Sequence, residues 1–505
     1  MKYPLGIQDF ATLREGGYVY VDKTEYLYDC LDTSRYNFLS RPRRFGKSLL
    51  LSTINELYSG RAELFEGLWI ERHWDFAARE RPVIWLKFGR MDYRGMGLEA
   101  ALLLQLARLG EQFGVTLGGR YFSDDFGTLI EKIAAKGKRV VLLIDEYDKP
   151  LIDYIDTPEK AMSNQQVLKS FYSVLKDSDP YLEQLFITGV SAFSQVSIFS
   201  DLNNVRNLTL DRRAYLLTGI SQTELERVFT EQLAEEDADK VRRWYNGYSW
   251  GSEERLYNPF SLLNFLSSRQ YRNYWFASGT PSFLVKEMQR RELYDPVGLL
   301  ADDLTLLSFD LRRLHPTGIL FQTGYLTVDT YREEDYAYRL TYPNLEVRAS
   351  LEKLLLQYYL RQDKEDAFIR VIGIRDALYA DDVDTVVRIL NAAFAGIPIP
   401  YEHWKGQQEH FFHAAVHLVF SLLGVYVQSE VHTAKGRCDA LVLSPTLIYA
   451  FEFKLQQSAE AALRQIEERG YLTPYADDPR PKRAVGIRFS TEARAITEWL
   501  VGKTH

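Results

Sequence analysis

The segment Arg35–Gly60, RYNFLSRPRRFGKSLLLSTINELYSG, joins a strand-like run, a basic loop and a helix-like run without a break. The pattern predicts a strand over Arg35–Ser40, a loop over Arg41–Ser48 and a helix that ends at Gly60. This order, with the loop ending in Gly-Lys-Ser, is the context that a phosphate-binding loop requires. Backbone N–H groups of the loop and of the helix N-terminus favour an anion. The segment therefore predicts a nucleotide-binding P-loop.

The last residues of this loop have the side chains that ATP binding needs. Gly46 precedes Lys47, which we expect to reach the β- and γ-phosphates, and Ser48, which we expect to ligate Mg²⁺. In the general pattern G-x-x-x-x-G-K-[ST] the first glycine falls on Arg41, so the loop entry is less free to adopt unusual backbone angles. The loop also carries basic side chains that we expect beside the phosphates: Arg41, Arg43 and Arg44.

A second segment supplies the acids of such a site. KRVVLLIDEYDKPL (Lys138–Leu151) contains a continuous apolar run, which predicts a buried parallel strand that ends in Asp145 and Glu146. We expect Asp145 to hold Mg²⁺, directly or through water, and Glu146 to polarise the attacking water. A core strand followed by a polar turn would explain the apolar run but not the adjacent acids at its tip.

Further strands are predicted over 83–89 and 183–191. The second of these ends in Thr188 and Ser191, where a neighbouring strand can sense the γ-phosphate. Helical stretches lie between the strands, so the alternation predicts a parallel α/β sheet with its site at the carboxyl ends of the strands.

Near the C-terminus, GRCDALVLSPTLIYAFEFKL (Gly436–Leu455) is typical of a β-hairpin with its turn at Ser444–Thr446. Because side chains alternate along a strand, Glu452 and Lys454 share one face and the flanking phenylalanines share the other. Asp439, on the preceding strand, is expected to meet the charged face. The alternative is a half-buried hairpin whose outer face is merely charged.

Two carboxylates and a lysine on paired strands suit metal-assisted phosphodiester hydrolysis. We expect Asp439 and Glu452 to coordinate Mg²⁺ or Mn²⁺, hard ions that prefer carboxylate oxygen. Lys454 is expected to orient the nucleophile or to stabilise developing charge. Residues 401–505 hold about as many basic as acidic side chains, so no strong DNA-binding stripe is visible there. Lys435 and Arg437 are the phosphate contacts that we expect nearby.

The composition of the 505-residue chain is that of a globular protein with ample length for several cores. Its net charge of −8 gives no global signal for nucleic acid, so any such contact must be local. Two cysteines fit a reducing compartment. The N-terminus has no apolar h-region, and the apolar run 411–427 is slightly short for a membrane span. We therefore expect a cytoplasmic protein without membrane association.

The middle of the chain leaves two alternatives open. The aromatic segment WYNGYSW (Trp244–Trp250) can stack nucleic-acid bases or pack in a core, and we favour packing. Arg206, Arg212 and Arg213 are candidate phosphate sensors or trans-acting fingers, although a solvated or ion-paired role is favoured for each of them.

Taken together, these segments resemble a known family. The motifs RPRRFGKS, LLIDEYDKPL, FITGVSAFS, SIFSDLNN, WYNGYSW, YNPFSLL and GILFQTGYLT are similar to the hallmarks of bacterial AAA-ATPase-like proteins that carry a C-terminal PD-(D/E)XK nuclease domain. The resemblance spans the chain from Val19 to Tyr471, and arginine at position 41 is usual in that family's loop. It implies an AAA/STAND-like P-loop NTPase module joined to a restriction-endonuclease-like α/β domain.

The resemblance also implies roles for the helices that flank the hairpin. It implies that Glu409, on the first helix, is an outer acid for the metal, and that Gln465 and Tyr471 flank the catalytic site. Glu430 is a further candidate near the metal, with a surface role as the alternative. Three histidines at helical spacing suggest zinc, but no cysteine or second histidine pair completes such a site, so we favour packing or capping; they are His410, His413 and His417.

These observations predict a P-loop domain over 1–219, a mainly helical lid and connecting region over 220–399, and a PD-(D/E)XK nuclease-like domain over 400–505. The predicted function is that of an ATP-binding, nucleotide-regulated, Mg²⁺-dependent nuclease in defence or in the handling of mobile DNA. We expect its partner to be nucleic acid, DNA in preference to RNA, and a homo-oligomer stays open. The alternatives are a nucleotide-dependent switch whose nuclease-like domain only binds nucleic acid or a protein, and a plain ATPase motor.

Overall fold

The computed structural model describes residues 1–192, 204–275, 282–291, 293–308, 315–360, 364–395, 407–424, 428–431, 439–455, 457–490 and 492–504. The chain forms two compact units. Unit 1 comprises Met1–Leu284 and Pro296–Val347, and unit 2 comprises Val285–Asp295 and Arg348–His505. The predicted boundaries after residues 219 and 399 stay predictions, and residue 399 lies outside the described ranges.

In chain order the strands are β1 (Tyr36–Ser40), β2 (Val83–Lys87), β3 (Val140–Asp145), β4 (Leu182–Gly189), β5 (Arg206–Asn207), β6 (Ile220–Ser221), β7 (Leu256–Tyr257), β8 (Leu300–Ala301), β9 (Thr327–Arg332), β10 (Ala337–Thr341), β11 (Gln428–Val431), β12 (Ala440–Leu443), β13 (Ile448–Lys454), β14 (Lys482–Ser490) and β15 (Ala495–Thr504).

The helices are α1 (Phe10–Glu15), α2 (Thr24–Thr33), α3 (Lys47–Tyr58), α4 (Tyr93–Met96), α5 (Leu98–Phe113), α6 (Phe122–Ala134), α7 (Lys149–Ile152), α8 (Pro158–Asp177), α9 (Gln222–Val228), α10 (Thr230–Leu233), α11 (Ala238–Tyr245), α12 (Pro259–Ser268), α13 (Ser282–Arg290), α14 (Asp303–Leu307), α15 (Pro316–Thr323), α16 (Leu345–Leu360), α17 (Lys364–Tyr379), α18 (Val383–Ala395), α19 (Gln407–Leu423) and α20 (Ala459–Arg469). Within the described ranges, no helix is both long enough and apolar enough to cross a membrane.

Unit 1 is organised around a five-stranded sheet in the order β2-β3-β4-β1-β5. Every neighbouring pair is parallel, which confirms the predicted parallel α/β sheet. All six residues of β3 are buried, as its apolar sequence requires. Because the strands are parallel, the loops after β1, β2, β3 and β4 lie at one edge of the sheet, and the candidate nucleotide residues belong to these loops.

The segment WYNGYSW is a packing element of unit 1. Tyr245, Tyr248 and Trp250 are buried, and Phe45 of the P-loop packs edge-on against the latter two at ring-centroid distances of 4.9 and 5.3 Å. A Cβ atom added at Gly247 would overlap the carbonyl oxygen of Pro343, and the φ angle there is +127°. Core packing, the favoured alternative, is therefore confirmed for these aromatic side chains.

Helix α9 begins with a capping box. Ser221 caps α9, and Glu224 completes the capping box by accepting a hydrogen bond from the Ser221 backbone N–H. The same carboxylate forms a buried ion pair with Lys23 at 2.6 Å. Arg206 and Arg213 both contact Asp211, so the ion-paired alternative describes those two arginines.

Unit 2 contains a five-stranded sheet in the order β11-β12-β13-β14-β15. The predicted hairpin is present as β12 and β13, which pair antiparallel, while β13 and β14 pair parallel. Phe420 of α19 packs on Phe451 and Phe453 from one side of the sheet, with ring centroids 5.0 and 5.8 Å away. The opposite face of β13, which carries Glu452 and Lys454, faces α20. The alternation of side chains predicted for this strand is confirmed.

Candidate nucleotide and metal sites

The P-loop encloses a cavity of about 340 Å³ at the carboxyl edge of the parallel sheet. Gly46 has a φ angle of +89°, which lets the loop turn directly into α3. Arg44 also has a positive φ, and its guanidinium lies 3.7 Å above the ring of Phe260. The predicted nucleotide-binding residues that line this cavity are Arg43, Arg44, Gly46, Lys47 and Ser48.

Lys47 is buried at the base of the loop. Its Nζ atom donates hydrogen bonds to the carbonyl oxygens of Arg41 and Pro42, both at 2.8 Å. Burial lowers the pKa of Lys47 to about 8, against the opposing attraction of acids that include Asp145 and Asp148. The loop carbonyls therefore hold the ammonium group in position at the cavity wall.

The acids that follow β3 differ in their environments. Asp145 accepts a hydrogen bond from the Thr188 hydroxyl at 2.8 Å, which joins the ends of the two neighbouring strands. Glu146 has a φ angle of +55°, and burial raises the pKa of its carboxyl group. Its carboxylate lies directly against Gly89, because a Cβ atom added there would overlap Glu146 Oε2. Both acids line a second cavity, of about 410 Å³, together with Ser48.

Asp148 is an acid whose role the sequence analysis missed. It is buried, and its Oδ2 atom accepts hydrogen bonds from the backbone N–H groups of Val190 and Ser191 and from the Ser191 hydroxyl. Burial raises the pKa of Asp148. Ser191, expected to sense the γ-phosphate, is instead bonded to this carboxylate. The only signal in the sequence is the group of neighbouring acids in IDEYDKP. That pattern does not tell an acid that binds a metal from an acid that holds a neighbouring loop in place.

The expectation that Arg41 lies beside the phosphates is wrong. Its side chain is fully buried and donates to the carbonyl oxygens of Ser40, Thr209 and Ala214, with its guanidinium 3.9 Å above the ring of Trp250. Burial lowers the pKa of Arg41 to about 9. The side chain points into the core beneath the loop because these carbonyls offer it acceptors that water supplies elsewhere.

The N-terminal segment is a further part of the cavity wall that sequence reasoning missed. Pro4, Gly6, Ile7 and Gln8 line the P-loop cavity. None of these four residue types marks a phosphate or metal ligand, so they carried no signal before the fold was known.

In unit 2 the predicted catalytic side chains converge. Lys454 Nζ donates to Glu452 Oε1 at 2.8 Å and to Gln465 Oε1 at 2.7 Å, and Gln465 Nε2 donates to the same Glu452 oxygen. Asp439 Oδ2 accepts from the backbone N–H of Phe453 at 2.7 Å, which sets it beside β13. Tyr471 approaches the amide of Gln465 at 3.3 Å. The hairpin and α20 therefore bring together the acids, the lysine and the glutamine.

The two units match two families of known proteins. The family described as a predicted AAA-ATPase matches residues 4–199, and the PD-(D/E)XK nuclease superfamily matches residues 407–499. A protein of Azotobacter chroococcum mcd 1, named as an uncharacterized protein in the vnfD 5'region, is 38% identical over 512 residues, which is 99% of this chain and 98% of the relative. The chain belongs to the AAA-ATPase-like proteins with a C-terminal PD-(D/E)XK nuclease domain. The chain therefore has an AAA-ATPase-like module and a nuclease-superfamily domain. The match of the first module is evidence for nucleotide binding.

The nuclease-superfamily domain has donor atoms that fit a divalent cation. Glu452 is 3% exposed, and its Oε2 atom is buried without a hydrogen-bond partner among the described residues. Burial raises the pKa of both Asp439 and Glu452, and the nearby Asp439 charge adds to the rise at Glu452. Burying a carboxylate oxygen without a partner costs folding free energy, and a bound hard cation would supply the missing partner of opposite charge. Within the described ranges, no group of three or more potential ligands is gathered.

Several predicted residues of this domain have side chains that the structure does not describe. Glu409, His410 and His413 belong to α19, and Glu430 belongs to β11. The side chains of these four residues are not among those described. Lys435 and Arg437 lie outside the described residues altogether. His417 is described: it is buried and packs edge-on against Tyr294 at 5.3 Å. This contact agrees with the packing role that we favoured for it.

The buried position of Arg41 yields a stability prediction for the AAA-ATPase-like module. Arg41→Gly restores the general P-loop pattern, yet it removes the donor to three buried carbonyls and leaves a void beneath the loop. We expect the free energy of unfolding to fall by about 3 kcal/mol or more, measured by denaturant titration. The matched control is Arg43→Gly, because Arg43 is an exposed arginine of the same loop. Equal unfolding midpoints for the two variants would contradict the structural role of Arg41.

Proposed function

We propose that this protein is an ATP-regulated, metal-dependent nuclease that hydrolyses phosphodiester bonds of nucleic acid, DNA in preference to RNA. The observation that carries the proposal is the convergence of Asp439, Glu452, Lys454 and Gln465 around a buried carboxylate oxygen that has no partner within the described residues. A domain that only binds nucleic acid has no need to bury an unpaired carboxylate beside a second one. The free-energy cost of burying this carboxylate oxygen is explained if the site holds a cation.

Each side chain of this cluster has a separate role. Asp439 and Glu452 would hold Mg²⁺ or Mn²⁺, with Glu409 as an outer acid. The metal, when bound, supplies a water of lowered pKa and polarises the phosphate. Lys454 is held between Glu452 and Gln465, so its ammonium group is positioned to orient the nucleophile or to stabilise charge on the phosphate. Gln465 keeps that geometry by donating to Glu452 and accepting from Lys454.

The AAA-ATPase-like module would bind ATP with Mg²⁺ in the P-loop cavity. Gly46 and the N–H groups at the start of α3 would cradle the phosphates, and Lys47 would exchange its loop carbonyls for phosphate oxygens. Ser48 and Asp145 would hold the metal. Thr188, already bonded to Asp145, would sense the γ-phosphate, and Glu146 would polarise the attacking water.

Cleavage assays with paired variants test the proposal. Purified protein is incubated with circular DNA, linear DNA and RNA, with Mg²⁺ or Mn²⁺, and with or without ATP. Asp439→Asn keeps an acceptor for the Phe453 N–H group but removes the charge, so we expect cleavage to fall about 100-fold or more. Lys47→Ala should abolish the effect of ATP on cleavage, because the P-loop then lacks its phosphate contact.

The control is Lys169→Ala, which removes an exposed lysine of unit 1 and should leave cleavage unchanged. Cleavage lost in Asp439→Asn and intact in Lys47→Ala, with or without ATP, would leave a nuclease that ATP does not regulate. Tight binding of nucleic acid without cleavage under every condition would support the switch alternative instead.

The contact between Gly89 and Glu146 yields a second prediction. Because a Cβ atom at Gly89 overlaps only the mobile end of Glu146, Gly89→Ala should displace the carboxylate and leave the fold intact. We expect ATP hydrolysis to fall about 100-fold while the dissociation constant for ATP changes less than about twofold. Gly118→Ala is the control, since its nearest neighbour is Asp125 Oδ1 at 3.4 Å. Hydrolysis equal to that of the control would rule out Glu146 as the residue that acts on water.

A further inference from the structure

A basic groove runs along the outer edge of the unit 1 sheet. It begins at the cavity of about 410 Å³ that contains Asp9, Asp145 and Glu146, and it continues into a cavity of about 350 Å³ between β2, α3 and α5. The two cavities share Trp85, Lys87 and Arg90. Among the described residues, β2 is the edge strand of the sheet and no further strand pairs with it on this side.

The cations of this groove are Lys87, which Asp9 and Asp145 attract at longer range, and the exposed Arg90 and Arg108. Lys87, Arg90 and Arg108 line it, and none of them forms an ion pair with an acidic side chain of the described residues. In a chain with a net charge of −8, the second cavity is a local feature whose charged side chains, among the described residues, are all positive.

Unlike the first cavity, the second cavity has no acidic side chain among the described residues that line it. Its polar lining apart from the cations consists of the amides Asn55, Gln105 and Gln112 and the indole of Trp85. Lys87 Nζ lies 3.2 Å from the centre of the Trp85 ring, which keeps the ammonium group at the groove. The Trp85 Nε1–H donor has no acceptor among the described residues. Cations for phosphates, together with amides and an indole N–H for polar atoms of sugar and base, are the chemistry that a nucleotide unit requires.

We propose that this groove binds the backbone of single-stranded nucleic acid and delivers it along β2 to the edge of the nucleotide site. A cavity of about 350 Å³ admits about one nucleotide unit of a flexible strand, whereas a duplex is too wide to enter it. The strand would be held by its phosphates at Arg108, Arg90 and Lys87. This site lies in the AAA-ATPase-like module and is separate from the candidate nuclease cluster.

Salt-dependent binding tests this site. The full chain with Asp439→Asn, which blocks cleavage, is titrated against a fluorescent single-stranded oligonucleotide at several salt concentrations in the absence of ATP. Arg108 lines only the cavity that contains no acid, so Arg108→Gln removes one phosphate contact without touching the P-loop cavity. We expect about fivefold weaker binding at 0.1 M salt and a slope of log K against log salt that is smaller by about 0.7.

The matched control is Arg243→Gln, an exposed arginine of unit 1 that also lacks an ion pair among the described residues. It should change neither the affinity nor the slope. Hydrogen exchange then locates the strand: we expect the backbone of 83–112 to gain protection with the oligonucleotide, and to lose that protection in Arg108→Gln. Protection confined to unit 2, or an Arg108→Gln titration equal to the control, would overturn the proposal.

Thymidine monophosphate and inorganic tripolyphosphate form the last arm of the experiment. If either protects 83–112 as well as the oligonucleotide does, the ligand is a free phosphate compound and the strand proposal is wrong. None of these readouts uses cleavage, so a failure of the nuclease proposal leaves this result interpretable. Conversely, cleavage that depends on Asp439 with no protection at 83–112 would refute only the groove.

Discussion

The P-loop depends on a cation that is buried where most P-loops have a glycine. Arg41 leaves β1 and turns into the core, where three carbonyl oxygens and the ring of Trp250 replace water. Two of those carbonyls belong to residues that follow β5, so the guanidinium connects the loop to the far edge of the sheet. A buried cation tolerates few other arrangements, because each lost acceptor leaves an uncompensated charge. The carbonyls of Arg41 and Pro42 are thereby directed toward Lys47.

The same physical rule links the two candidate sites. Lys47 and Glu452 are both buried charges, but Lys47 has two carbonyl partners while one oxygen of Glu452 has none within the described residues. The lysine can exchange its carbonyls for phosphate oxygens at little cost, since one set of acceptors replaces another. Glu452 Oε2 has no partner among the described residues that it could exchange, so a bound cation would stabilise it more. The two candidate sites thus differ in whether the buried charge already has partners among the described residues.

The sequence predicted those parts of the molecule that depend on local order along the chain. A strand, a loop with Gly46 and a helix at Lys47 follow from adjacent residues, as do the hairpin and the faces of Glu452 and Phe453. The destination of Arg41 was not predictable, because its acceptors at Thr209 and Ala214 lie more than 160 residues away. The support role of Asp148 depends likewise on the end of a different strand. The residue type alone does not show whether an arginine or an aspartate binds a phosphate or metal or instead holds the loop in place.

Charge distribution explains why one chain would need both the groove and the nuclease cluster. Residues 401–505 contain equal numbers of acidic and basic side chains, so the nuclease-superfamily domain has little electrostatic attraction for a polyanion. The cations Lys87, Arg90 and Arg108, which form no ion pair among the described residues, would supply that attraction, and the first two line the cavity that contains Glu146. A strand held there would bring phosphate charge to the cavity that contains Glu146. Recognition of nucleic acid and the state of the bound nucleotide would then be linked through neighbouring charges in unit 1.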